Sequence, residues 1–142
     1  MFVAILHRID GEKEEGECKF EDVPSGAYYE KAVAWASTNG IVAGISAAEF
    51  DPNADITREQ MAAILYRYAN YKKIDTQVGD NTNILSYDDY NDISEYAIPS
   101  MQWAAGSGLM VGKTDTTLNP KDNATRAEAA AVFMRFVENF ND

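Results

Sequence analysis

A fixed spacing of 68 residues governs this 142-residue chain. Trp35-Ala36, Gly40, Gly44, Pro52, Thr57-Arg58 and Arg67 recur as Trp103-Ala104, Gly108, Gly112, Pro120, Thr125-Arg126 and Arg135. One offset held across so many Gly, Pro and Trp positions is the signature of internal duplication. A repeated unit shows the same surface more than once, which favours binding over catalysis. Phe2-Val3-Ala4-Ile5-Leu6-His7-Arg8 also overlays Met61-Ala62-Ala63-Ile64-Leu65-Tyr66-Arg67, 59 residues on. The reading is a partial copy followed by two full ones, with Met1 standing where Gln60 stands in the next copy. Residues 1–11 form the closing helix of the partial copy, 12–19 a linker, 20–74 a full copy, 75–86 a second linker and 87–142 the last copy.

The formal charge of −11 argues against nucleic-acid binding, which needs a basic footprint. An apolar fraction of 46%, with 8 Tyr, 6 Phe and 2 Trp, is enough for a core and excludes disorder as the default. No apolar run approaches the roughly 20 residues of a membrane-spanning helix. The apolar opening Phe2 to Leu6 lacks a basic flank and a small-residue cleavage site, so it does not read as a signal peptide. Cys18 is the sole cysteine, which removes an intrachain disulfide, and with a single His a zinc site is improbable.

Each full copy reads as an aromatic-acidic opening (Phe20-Glu21-Asp22; Tyr87-Asp88-Asp89), then a short helix over about Tyr29 to Asn39 or Tyr96 to Ser107. Gly40 and Gly108 fall where such a helix stops with a left-handed residue. A turn follows, and then a longer helix with clear start signals. Thr57 with Gln60, and Thr125 with Glu128, have the spacing of capping boxes. Beyond the cap, Met61, Ile64, Leu65 and Tyr68 make one apolar stripe, as do Ala129, Val132, Phe133 and Phe136, and again Phe2, Ile5, Leu6 and Ile9. Three matching stripes predict three long helices sharing one bundle, in a mostly all-α repeat array with short peripheral helices and loops. His7 is expected on the exposed side of its stripe.

These elements resemble the S-layer homology (SLH) domain of bacterial cell-surface proteins. The resemblance rests on Phe20-Glu21-Asp22-Val23, Ala32-Val33-Ala34-Trp35-Ala36, Gly40-Ile41-Val42-Ala43-Gly44, Phe50-Asp51-Pro52 and Ile56-Thr57-Arg58-Glu59. Thr125-Arg126-Ala127-Glu128 is similar to the family's TRAE motif, whereas the first full copy reads Thr57-Arg58-Glu59-Gln60. The resemblance implies a pseudo-threefold trio of repeats with the long helices at the centre. It also implies a bacterial cell-surface location and non-covalent anchoring to secondary cell-wall polysaccharide, often bearing ketal-linked pyruvate. Grooves between repeats, using the motif's Arg, are the implied ligand sites.

Arg58 and Arg126 are the sharpest candidates, for a reason of their own. Each holds the first turn of a capped helix, where the macrodipole disfavours a cation by a few tenths to about 1 kcal/mol. A bound anion would reverse that cost, since helix-start amides plus a guanidinium suit a carboxylate. The alternative is that each Arg pairs with a neighbouring Asp or Glu. For Thr57, Thr125 and Glu128 capping is a sufficient role, and direct ligand contact is the further one. Trp35 and Trp103 suit a sugar face, with core packing as the alternative. Gly44 and Gly112 allow close ligand approach or simply a positive-φ turn. Lys113 adds a cation beside Gly112, where the other copy has Ile45. Asp22 and Asp89 either meet a sugar hydroxyl or orient a turn amide, the latter favoured.

Asp51-Pro52-Asn53-Ala54-Asp55 is not an EF-hand: position six is Ile56 and position twelve is Ala62. Cys18, in an acidic stretch, is a poor nucleophile. No catalytic constellation, metal site or cofactor is expected, and no membrane insertion. The leading expectation is an anchor for an anionic cell-wall glycan, with a homo-oligomer that completes the partial repeat as a further partner. The competing one is a protein–protein interaction or assembly module of a surface protein.

Overall fold

The computed structural model describes residues 2–12, 14, 16–43, 48–51, 55–74, 76, 87–110 and 117–140. It is helical: α1 Phe2–Ile9, α2 Glu30–Thr38, α3 Arg58–Tyr71, α4 Ile98–Gly106 and α5 Arg126–Phe140, with 3-10 turns at Tyr90–Asp92 and Glu95–Ala97. Among the described residues, extended pairing is limited to one isolated antiparallel bridge between Thr57 and Asn123. The chain divides into two compact units, Met1–Ala54 and Asp55–Asp142. The division cuts the first full copy, so α3 belongs with the second copy's helices.

In the first unit α1 packs on α2. Val3, Ala4, Leu6 and His7 are buried, while Ile5 and Ile9 are 41% and 39% exposed. The expected exposure of His7 is therefore corrected: its ring lies 5.2 Å from the fully buried Trp35. An imidazole is flat enough to cover an indole, so this polar residue packs as an aromatic one. α2 stops as expected. Gly40 has φ of 73°, and the Gly40 and Ile41 amides donate to the Ser37 and Ala36 carbonyls, which satisfies the helix end. Beside α2, Phe20, Val23 and Val33 form a small core flanked by Cys18, Tyr29 and Phe50.

The second unit is built around α3 and α4. Met61, Leu65 and Tyr68 are buried as the stripe predicts, and so are Ala62 and Ala69 on the adjoining face. Tyr66 lies 5.8 Å from the Trp103 ring on α4, repeating the His7–Trp35 contact of the first unit. α5 joins through Phe136, whose ring lies 5.7 Å from Tyr68 and 6.5 Å from Trp103. Val132, Phe133 and Phe136 are buried, whereas Met134 and Val137 are 57% and 37% exposed.

Candidate functional site

Both capping boxes form. Thr57 accepts from the Gln60 amide at 3.2 Å while its own amide donates to Gln60 Oε1 at 2.9 Å. Thr125 and Glu128 do the same at 3.0 and 3.3 Å. What lies beyond the caps differs between the copies. At α3 the Arg58 amide donates to the Asp122 carbonyl and the Glu59 amide to the Pro120 carbonyl, each at 2.9 Å. With the Thr57–Asn123 bridge and an Ala124 amide bonded to the Ile56 carbonyl at 2.7 Å, the segment before α5 occupies the start of α3. Those amides are spent internally.

The Arg58 side chain is also spent. It is 4% exposed, donates through Nε to the Leu118 carbonyl at 2.8 Å, and pairs through Nη1 with Glu128 Oε2. Burial works to raise the Glu128 carboxyl, but the Arg58 guanidinium and the Thr125 amide outweigh it and hold the group below its ordinary value. Arg126 is placed differently. It is exposed at the first turn of α5, and among the described residues neither its side chain nor the Arg126 and Ala127 amides has a hydrogen-bond partner. Two sequence-equivalent arginines thus stand in opposite environments.

Asp22 and Asp89 hold turns. Asp22 accepts the Phe50 and Asp51 amides at 2.8 and 2.7 Å, and Asp89 accepts the Leu118 and Asn119 amides at 2.9 and 2.8 Å. Asp51 and Asn119, the residues held, share a left-handed φ of 61° and 52°. The bonds from Phe50 and Asp51 pull the Asp22 carboxyl below its ordinary value. Trp35 and Trp103 are 0% and 1% exposed, in the core of their units. Gly44, Gly112 and Lys113 lie outside the described residues.

Sequence reasoning missed a polar knot at Glu59. Its carboxylate is 4% exposed, accepts the Ser94 amide at 3.1 Å and sits 3.7 Å from Lys121 Nζ. Tyr96 bonds it as well, and burial followed by the Glu59 charge raises the phenol's pKa. The last copy has Ala127 at this place, so the duplication itself gave no signal for Glu59. Among the described residues, no group of three His, Cys, Asp or Glu side chains is arranged to hold a metal ion.

The S-layer homology domain family matches residues 19–62 and 86–130. The chain is 36% identical over 140 residues to an amylopullulanase of Thermoanaerobacterium thermosulfurigenes, covering 96% of this chain and 7% of that protein. It is 33% identical over 142 residues to the exoglucanase XynX of Acetivibrio thermocellus, covering 99% of this chain and 13% of that protein. It is also 33% identical over 129 residues to the surface-layer 125 kDa protein of Lysinibacillus sphaericus, 88% of this chain and 10% of that protein. The chain spans a small fraction of each relative's length. A match to two repeats in order, together covering more than half of the sequence, settles the kinship: the chain belongs to the S-layer homology domain family.

Proposed function

We propose that this chain is a non-catalytic module that anchors a protein to the bacterial cell wall by binding an acidic polysaccharide, with Arg126 as the contact to a glycan carboxylate. The environment of Arg126 carries the reading: an exposed guanidinium beside two helix-start amides without partners among the described residues. A carboxylate, ketal-linked pyruvate included, supplies the charge that the helix start favours and the Arg alone opposes. Arg58 has the same sequence signal, but its amides and guanidinium serve the fold. Kinship supports the non-catalytic part. An amylopullulanase, an exoglucanase and a surface-layer protein share this segment, and it is 7–13% of each. What such differently named proteins hold in common is not one reaction.

The test is sedimentation with purified cell walls, before and after removal of the polysaccharide. Arg126→Ala is expected to weaken binding by about tenfold or more, the worth of a charge-assisted hydrogen bond, with the melting temperature unchanged. Equal retention by stripped peptidoglycan, or an unaffected Arg126→Ala variant, overturns the reading in favour of a protein-binding module.

A further inference from the structure

The short helices α2 and α4 are closed by one device made from different side chains. Asn39 Nδ2 donates to the Trp35 carbonyl at 2.9 Å, and 68 residues on Ser107 Oγ donates to the Trp103 carbonyl at 2.6 Å. Each side chain reinforces the bond that its own backbone amide makes to the same carbonyl. Glycine follows in both, Gly40 at φ 73° and Gly108 at φ 78°. Only the first copy therefore has an Asn-Gly pair, and the chain has no other. Such a pair is reactive, because a residue without Cβ does not shield its backbone nitrogen from the side-chain carbonyl carbon ahead of it. Gly40 is exposed, and a Cβ added there would meet nothing within 4 Å, so water and hydroxide reach its amide.

We propose that Asn39 is a site of self-modification, deamidating through a succinimide when the end of α2 opens, and that the product holds this end open. Hydroxide takes the Gly40 amide proton, the nitrogen bonds to Asn39 Cγ, and the Cγ–Nδ2 bond breaks. The departing nitrogen takes a proton from water, releasing ammonia and regenerating hydroxide. Water then adds to one of the two ring carbonyls, and the ring opens to aspartate or isoaspartate. The closed helix end obstructs the first step twice. The Gly40 amide donates to the Ser37 carbonyl at 3.3 Å, and the Asn39 carboxamide is tied back to Trp35. Both bonds are given up before nitrogen and carbon meet, so the rate follows local opening rather than global unfolding.

The product does not restore the cap. A carboxylate has no proton to give the Trp35 carbonyl, and its charge at a helix C-terminus opposes the macrodipole. Isoaspartate also adds a methylene to the backbone just ahead of Ile41 and Val42, which are 0% and 7% exposed and whose amides both donate to the Ala36 carbonyl. Ser107 has no carbonyl carbon to attack. The first unit thus carries a chemical clock that the equivalent residue of the second copy lacks, and serine is the control that the duplication supplies.

The test ages the full chain at mildly alkaline pH, folded and in urea, with peptide mapping by mass spectrometry and enzymatic methylation of isoaspartate. Conversion is expected at Asn39 ahead of every other asparagine, faster as hydroxide rises, and about tenfold or more slower folded than unfolded. Asn39→Ser should abolish it and leave the melting curve unaltered. Asn39→Asp, the product with an ordinary backbone, should lower the melting temperature by about 3 °C or more. An Asn39 that stays intact in the folded chain overturns the proposal, as does equal conversion folded and unfolded. An Asn39→Asp chain that melts like the parent overturns it too, because the product would then leave the helix end closed.

Discussion

At position 128 one carboxylate closes the capping box of α5 with one oxygen and holds Arg58 with the other. The two roles separate by substitution. Gln60 closes the box of α3, so Glu128→Gln is expected to keep the cap and lose only the charge on Arg58. The cost should be about 1–3 kcal/mol in urea unfolding, since the pair is largely shielded from water. Arg58→Ala should cost about 3 kcal/mol or more, because it also strips the Leu118 carbonyl of its donor. In a double-mutant cycle the two losses should be markedly less than additive, whereas additive losses would show that the pair does not couple. Sequence alone marked both arginines as candidates and set Arg126 ahead only through its fuller motif, Thr125-Arg126-Ala127-Glu128 against Thr57-Arg58-Glu59-Gln60. The distinguishing fact, that residues 120–122 cover the start of one helix, is a long-range contact that no local motif encodes.

Among the elements, α1 is the best measure of what periodicity reveals. Its stripe of large apolar residues was legible, but only Leu6 of it is buried while Ile5 and Ile9 are 41% and 39% exposed; the face that is buried, Val3, His7 and Asp10, was not legible, because His and Asp read as surface. On α3 the matching face is Ala and Tyr, equally inconspicuous beside Met61 and Leu65. His7→Tyr is expected to preserve the packing of α1 on α2, since Tyr66 does this work on α3, while His7→Ala should cost about 1–3 kcal/mol in thermal unfolding. The turns carry a pH dependence. The folded Asp22 carboxyl titrates below its ordinary value, so its stabilisation is complete above the unfolded pKa and disappears as pH falls through the lower, folded one. Melting temperature should therefore drop on acidification below about pH 4, and Asp22→Asn should flatten that drop. The aspartates and the turns they hold were legible in outline from the duplication, and the left-handed pair Asp51 and Asn119 was not, because neither is glycine.

For the molecule as a whole, charge and fold pull in opposite directions. A chain at −11 is repelled by an acidic polymer at a distance, so the binding proposed above requires a local contact, the role proposed for Arg126, to reverse this at close range. Raising salt from about 10 mM to about 150 mM shortens the Debye length from about 30 Å to about 8 Å. The association rate with purified wall polysaccharide should accordingly rise over that interval, and a steep fall would point instead to steering by basic groups. The helical repeat character was readable from composition and spacing. The boundary between compact units at 54 and 55 was not, since nothing in the sequence of one copy says that its second half will side with the next. The Thr57–Asn123 bridge and the Arg58–Glu128 clasp join points far apart along the chain, and an anchor is a mechanical object. Tension entering ahead of α3 can cross to the beginning of α5 directly, so the polypeptide between these crosslinks is shielded from the pull. Under load the two fastenings are expected to rupture before the intervening helices unravel, an order that force–extension measurement on the folded chain would read.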